Sequence, residues 1–170
     1  MVSKELKELK ELKKKGFKIV TSWQDCNKKS IFALETNNYK NFIYYKNLAI
    51  EKNCKFIICN EHFKKKFSIE SIKYFCFKNK TDLDAISNIF FNTNKIKIIF
   101  TTGTNGKSSI AYGANRLFTL NGYKSCYIGT LGFFINSKRI KKLNNTTPSF
   151  FEIQNLINFA QKKKSKFCFY

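Results

Sequence analysis

Apolar residues follow two alternating patterns along this chain of 170 residues. Short continuous apolar runs, rich in β-branched and aromatic side chains, predict buried strands. Between them lie longer segments in which apolar residues recur every three or four positions, as expected of helices with one buried face. The runs that predict strands are 17–20, 30–34, 55–59, 72–77, 95–100, 123–129 and 166–170. The segments that predict helices are 3–15, 42–51, 82–91, 110–120 and 150–161.

The alternation of strands and helices predicts an α/β fold in two parts. The polar stretch 92–94 interrupts the pattern, so we place a domain boundary there. Residues 1–92 would form a small N-terminal α/β domain, and residues 93–170 the start of a second α/β domain that contains a phosphate-binding loop. The polar, basic segment 136–144 is expected to be a loop. Ser149 is a suitable N-cap for the last helix, with Glu152 in the capping-box position.

The segment after the strand at 95–100 has the layout of a phosphate-binding loop. It reads Thr101-Thr102-Gly103-Thr104-Asn105-Gly106-Lys107-Ser108-Ser109. The backbone N–H groups of such a loop, together with the N-terminus of the following helix, form a seat for a polyphosphate. Gly103 and Gly106 allow backbone turns and a close approach to phosphate that a Cβ would hinder. We therefore predict that Lys107 reaches the β- and γ-phosphates of a nucleotide and that Ser108 ligates Mg²⁺.

The match to the usual pattern G-x-x-x-x-G-K-S/T is close but incomplete. That pattern has glycine where this chain has Thr101, and here the additional glycine is Gly103. The alternative interpretation of Lys107 is an ordinary exposed lysine in a loop. The strand before the loop and the helix after it favour nucleotide binding.

The net charge of +21 at first suggests a protein that binds nucleic acid. The lysines are spread along the whole chain, however, together with many Asn, Ile and Phe residues, which indicates a general compositional bias. We therefore expect no nucleic-acid partner. No apolar run approaches the roughly 20 residues that a membrane span needs, and we expect a cytoplasmic monomer without a membrane partner.

The six cysteines are scattered, and none forms a C-x-x-C pair. Single cysteines of this kind are typical of small buried side chains in a reduced protein. We predict neither a zinc site nor a disulfide framework. The single histidine, His62, is expected at the surface or in a loop.

Several motifs taken together resemble the Mur ligases of peptidoglycan synthesis. They are the loop 102–109, Gly122-Tyr123-Lys124, Tyr127-Ile128-Gly129-Thr130-Leu131-Gly132 and Asn145-Thr146-Thr147-Pro148. The loop alone is similar in all Mur ligases, folylpolyglutamate synthases and cyanophycin synthetases. Its combination with the last two motifs resembles the branch that adds the third residue of the stem peptide. The N-terminal part resembles the family more weakly, with Thr21-Ser22-Trp23 where the family often has Asp-Ser-Arg.

The resemblance implies an ATP-dependent amide ligase with three domains. This chain would hold the N-terminal domain for the UDP end and the beginning of the central ATPase domain. The residues implied to bind ATP are Gly103, Thr104, Asn105, Gly106, Lys107, Ser108 and Ser109. Ser22 would contact the uridine nucleotide, and the UDP-sugar-peptide would be bound by Asn145, Thr146 and Thr147.

The reaction that the resemblance implies passes through an acyl phosphate. ATP, with Mg²⁺, would phosphorylate a carboxylate of UDP-MurNAc-L-Ala-D-Glu. The amino group of the incoming amino acid, meso-diaminopimelate or lysine, would then attack that acyl phosphate. Lys107 is the residue expected to be catalytic, through charge neutralisation and positioning.

Two other interpretations stay open. The chain could belong to another amide ligase of the same superfamily, of the folylpolyglutamate or cyanophycin type, although the motif 145–148 argues against this. It could also be a decayed gene product that at most binds a nucleotide. Because it looks like the N-terminal part of a longer ligase, we expect the 170 residues alone to form no tripeptide.

Overall fold

The computed structural model describes residues 3–64, 71–143 and 148–170. The chain divides into two compact units, Met1–Phe90 and Phe91–Tyr170. Each unit contains a sheet with parallel strands and helices, so the predicted α/β fold is confirmed. The assignment of residues 1–92 to UDP binding and of residues 93–170 to ATP binding stays a prediction.

The first unit contains a sheet of four parallel strands in the order β1-β2-β3-β4. All five residues of the inner strand β2 are buried, as expected for a parallel strand that is covered on both faces. The elements in chain order are α1 (Ser3–Lys14), β1 (Lys18–Val20), a 3₁₀ helix (Trp23–Asp25), β2 (Ser30–Leu34), α2 (Tyr39–Glu51), β3 (Phe56–Asn60), α3 (Glu61–Lys64), β4 (Lys73–Phe77) and α4 (Lys80–Phe90).

The second unit contains a sheet of five strands in the order β5-β9-β6-β7-β8. The elements in chain order are β5 (Lys97–Ile99), α5 (Lys107–Leu120), β6 (Ser125–Gly129), β7 (Gly132–Ile135), β8 (Lys138–Lys141), α6 (Phe150–Lys162) and β9 (Phe167–Phe169). Strand β9 comes last in the chain but lies between β5 and β6, parallel to both. Because parallel strands end at the same edge of a sheet, the segments that follow β5, β6 and β9 all lie at one edge.

The prediction of a loop at 136–144 is wrong for the part that forms β8. Strand β8 pairs antiparallel with β7 across a turn at Asn136 and Ser137. Asn136 has a left-handed φ of 53°, which asparagine tolerates better than most residues. All four residues of β8 are exposed, so its sequence lacks the apolar run by which buried strands are recognised.

Strand β5 is the other edge of this sheet, and its residues are also exposed. Ile98 and Ile99 are exposed by more than a third, and Phe100, just after the strand, is 70% exposed. The outer face of α5 carries the exposed residues Ile110 and Leu117. The β5 edge and the outer face of α5 therefore each expose apolar side chains.

The remaining sequence predictions concern the cysteines, the single histidine, membrane spans and metal sites. All six cysteines are buried, as predicted for small core side chains. His62 is exposed in α3, in agreement with the predicted surface position. Among the described residues, no helix has both the length and the apolar character to cross a bilayer, and no cluster of three or more His, Cys, Asp or Glu is suited to hold a metal ion.

A buried polar network fixes α5 against the sheet of the second unit. The side chain of Asn115 is fully buried. Its Nδ2 donates to the carbonyl oxygen of Asn136 at 2.8 Å, and its Oδ1 accepts a hydrogen bond from Ser125 Oγ at 2.8 Å. The backbone N–H of Ser125 in turn donates to the side-chain oxygen of Asn136 at 3.1 Å. One amide thus joins α5 to β6 and to the turn between β7 and β8.

We expect Asn115→Ala to lower the free energy of unfolding by about 1–3 kcal/mol, because it leaves buried polar groups without partners. Urea denaturation followed by circular dichroism would measure the loss. Asn121→Ala is the matched control, since Asn121 also bonds within α5 but is exposed. A similar loss in both variants would contradict the role given to the buried amide.

Candidate functional site

The predicted phosphate loop connects β5 to α5 at the edge where the parallel strands end. Its beginning is tied to the neighbouring strand, because the N–H of Thr101 donates to the carbonyl oxygen of Tyr170 at 2.7 Å. Gly103 has a φ of 149° and Gly106 a φ of 77°. Both values lie in the region that favours glycine, as predicted for the backbone turns at these two positions, whereas their approach to a phosphate stays a prediction.

Gly106 is the N-cap residue of α5, in left-handed conformation. Most N-cap residues use a side-chain oxygen to accept a hydrogen bond from an N–H group of the first turn. Glycine has no such oxygen, and no side-chain cap is made at this position. The N–H groups of the first turn are therefore available to an anion, which the positive end of the helix dipole also favours.

The side chain of Lys107 folds back over the loop. Its ammonium group donates hydrogen bonds to the carbonyl oxygens of Gly103 and Thr104, the latter at 3.1 Å. The ammonium charge is thus held at the loop that precedes α5. Lys107 is exposed, as are the neighbouring residues Asn105 and Ser109.

Ser108 lies in the first turn of α5 and contacts a residue that follows β6. Its Oγ is 3.1 Å from Oγ1 of Thr130. The topology explains the contact, since the loop after β5 and the turn after β6 lie at the same edge of the sheet. Thr130 is a residue that the sequence analysis did not assign to the site.

Two glycines hold Thr130 in a tight turn between β6 and β7. Gly129 and Gly132 face each other in the strand pair. A Cβ at Gly132, where φ is 117°, would lie 2.7 Å from the carbonyl oxygen of Lys141. A Cβ at Gly129 would lie 2.4 Å from the hydroxyl oxygen of Tyr127. A larger residue at Gly132 would therefore clash with the backbone of β8, and one at Gly129 would require the side chain of Tyr127 to move.

Ser22 lies in the first unit, where it begins the 3₁₀ helix. Its hydroxyl accepts a hydrogen bond from the N–H of Gln24 at 3.3 Å. Trp23, which stands in place of the arginine often found in the family, packs against the core of this unit. The thiol of Cys26 contacts the carbonyl oxygen of Ser22, and a hydrogen bond to Cys54 together with burial raises the pKa of that thiol. Trp23 and Cys26 thus support the Ser22 turn from the core side.

The remaining residues implied to bind substrate are Asn145, Thr146 and Thr147. They lie outside the described residues. Ser149, just beyond them, forms the predicted N-cap of α6, where its hydroxyl accepts a hydrogen bond from the N–H of Glu152 at 3.4 Å.

The known proteins to which this chain is similar carry related names. No protein-family profile matches the chain. The chain is 31% identical, over 123 residues, to the UDP-N-acetylmuramoyl-L-alanyl-D-glutamate–2,6-diaminopimelate ligase 1 of Clostridium acetobutylicum, covering 71% of this chain and 25% of that protein. It is 36% identical over 86 residues to the ligase of the same type from Helicobacter hepaticus, covering 51% of this chain and 19% of that protein. The UDP-N-acetylmuramyl-tripeptide synthetase of Borreliella burgdorferi is 29% identical over 125 residues, which cover 71% of this chain and 25% of the synthetase.

A solved structure of a UDP-N-acetylmuramoyl-L-alanyl-D-glutamate–2,6-diaminopimelate ligase aligns with 90% of this chain and 31% of its own, with a TM-score of 0.66. The chain belongs to the Mur ligase family. Sequence identity to that structure is 16%, so this likeness is one of fold. This Mur ligase chain spans about a quarter of the length of the curated relatives that it matches.

The contact that sequence reasoning missed in this Mur ligase chain had a visible signal. Two apolar runs, 126–128 and 133–135, are separated by a short segment that begins and ends with glycine. Such spacing is typical of a β-hairpin. The hairpin follows a strand parallel to the one before the loop, which brings its tip towards Ser108.

We expect Gly106→Ala to lower the free energy of unfolding by about 1–2 kcal/mol, because alanine resists the left-handed conformation. Urea denaturation measures the change. Gly122→Ala is the matched control, since Gly122 has a φ of 80° and a Cβ there would meet nothing within 4 Å. At Gly106 a Cβ would make only an ordinary contact, 3.7 Å from Ile110. Equal losses in the two variants would show that backbone conformation alone requires these glycines, and no loss in Gly106→Ala would contradict the loop geometry.

Proposed function

We propose that this chain carries the ATP-handling part of a ligase that makes a peptidoglycan precursor. The observation that carries the proposal is the geometry of the loop between β5 and α5. A glycine N-cap leaves the first-turn N–H groups open, the ammonium of Lys107 is held at the loop by the carbonyl oxygens of Gly103 and Thr104, and Ser108 offers a hydroxyl in the first turn. Membership of the Mur ligase family connects that geometry with an amide-forming reaction.

The proposed reaction consists of two transfers. A carboxylate of UDP-MurNAc-L-Ala-D-Glu attacks the γ-phosphorus of ATP, which gives an acyl phosphate and ADP. The amino group of the incoming amino acid then attacks the acyl carbon, so that an amide bond forms and inorganic phosphate leaves. Since the relatives named above are 2,6-diaminopimelate ligases, we propose diaminopimelate rather than lysine as that amino acid.

Lys107 would act by neutralising charge. The transferred phosphoryl group carries negative charge on its oxygens in the transition state, and a fixed ammonium close to them lowers the barrier. The loop N–H groups would hold the β- and γ-phosphates in line with the attacking carboxylate.

The donor set of the loop also fits Mg²⁺ bound together with ATP. Mg²⁺ prefers oxygen ligands and usually retains several waters while it contacts one or two protein groups and phosphates. Ser108 is the described residue of the loop that would serve as such a ligand. The ion would neutralise charge on the β- and γ-phosphates.

The first unit and the segment before α6 are proposed to bind the other substrate. Ser22 would contact the uridine nucleotide, and Asn145, Thr146 and Thr147 would contact the sugar-peptide. The open turn of the 3₁₀ helix at Ser22, with exposed Gln24 beside it, is compatible with such a contact.

Isothermal titration calorimetry with ATP and Mg²⁺ tests the proposal on the purified chain. We expect Lys107→Ala to weaken binding by roughly 10- to 100-fold, because a charge-assisted hydrogen bond is worth about 1.5–3 kcal/mol. Lys124→Ala removes the same charge from an exposed position away from the loop, and we expect it to bind like the unaltered chain. Equal binding by all three proteins, or no binding by the unaltered chain, would contradict the proposed role of the loop.

A further inference from the structure

We propose that Thr130 is a positioning residue of the nucleotide site, whose hydroxyl orients that of Ser108 towards the Mg²⁺ of MgATP. The inference rests on the function proposed for the loop. It is carried by one contact: Oγ of Ser108 and Oγ1 of Thr130 lie 3.1 Å apart, although the residues are 22 positions apart in sequence.

The chemistry of a hydroxyl explains why such a partner matters. A serine hydroxyl has one proton and two lone pairs. To ligate a cation, it must direct a lone pair at the ion and its proton elsewhere. Oγ1 of Thr130 lies at the right distance to accept that proton from Ser108. Partners of this kind fix the direction of a ligating atom and raise its affinity for the metal.

Both hydroxyls are held by the fold rather than by flexible chain. Thr130 lies in the turn between Gly129 and Gly132, and these two glycines pack closely against Tyr127 and against the backbone of Lys141, respectively. The distance between the hydroxyls is therefore set by how α5 lies against the hairpin.

The position of α5 is itself fixed. The buried amide of Asn115 bonds to Ser125 at the start of β6 and to the backbone of Asn136. Strand β6 leads directly into the turn that carries Thr130. One network thus controls the placement of both members of the pair.

A purely structural role for the contact makes a different prediction. A hydrogen bond between two hydroxyls near the surface contributes only about 0.5–1.5 kcal/mol to stability. If Thr130 merely tied the hairpin to α5, its loss would affect ATP equally with and without the metal. If Thr130 orients a metal ligand, only the binding of the metal complex depends on its hydroxyl.

The experiment compares the Kd for ATP with Mg²⁺ and the Kd for ATP with EDTA, for the full chain and for Thr130→Val. Valine keeps the branched shape and removes the hydroxyl. We expect Thr130→Val to raise the Kd for MgATP about 10-fold or more, as for other partners of metal ligands, and to leave the Kd for metal-free ATP unchanged. Thr130→Ser keeps the hydroxyl and should retain MgATP binding.

Thr36→Val is the matched control in the first unit, where the same substitution removes a hydroxyl that accepts a hydrogen bond from the N–H of Asn38 at 3.1 Å. It should leave the ratio of the two Kd values unchanged, and circular dichroism would confirm that each variant is folded. Unchanged MgATP binding by Thr130→Val would overturn the inference, and so would an equal loss for both forms of ATP. Failure of the unaltered chain to bind either form would overturn the proposed function and the inference together.

Discussion

The buried amide of Asn115 is the interaction on which the arrangement of the second unit depends. Apolar contacts hold α5 on the sheet, for example through Ala111 near Tyr127, but such contacts are tolerant of small shifts along the helix. Hydrogen bonds are directional, and a buried network that is satisfied selects one position. Through Ser125 and Asn136, the amide fixes α5 relative to β6 and the hairpin. The same hydrogen bonds therefore fix the position of the first turn of α5 and of the phosphate loop that leads into it.

The order of the strands then determines which residues meet. Because β9 lies between β5 and β6 and is parallel to both, three segments that are distant in sequence reach the same edge of the sheet. The loop follows β5, Thr130 follows β6 and Tyr170 follows β9. The contact between Thr101 and Tyr170 ties the loop to the middle strand of the three. The residues that meet at the site are thus determined by the order of the strands as well as by the sequence Gly106-Lys107-Ser108.

Local features of this chain could be predicted from sequence because their causes are local. The left-handed backbone at Gly106 and the cap at Ser149 follow from residue types and spacing. Strand β8 could not be found in this way, since it is exposed and is held by backbone pairing with β7 rather than by apolar burial. The contact of Thr130 with Ser108 depends on the sheet order, which no apolar run encodes. The resemblance to Mur ligases indicated the family. Its motif 127–132 includes Thr130, but the resemblance did not distinguish Thr130 from the other residues of that motif.

The exposed edge at β5 has a consequence for the behaviour of the protein in solution. Within the described residues β5 is an edge strand, and an exposed edge strand with apolar side chains such as Ile98, Ile99 and the adjacent Phe100 is a template for addition of another strand. The net charge of +21 opposes the approach of a second chain. That repulsion extends over roughly 10 Å at 0.1 M salt but only about 3 Å at 1 M. For this chain of 170 residues, we therefore expect concentrated salt to weaken the electrostatic repulsion that opposes pairing of two chains at this edge.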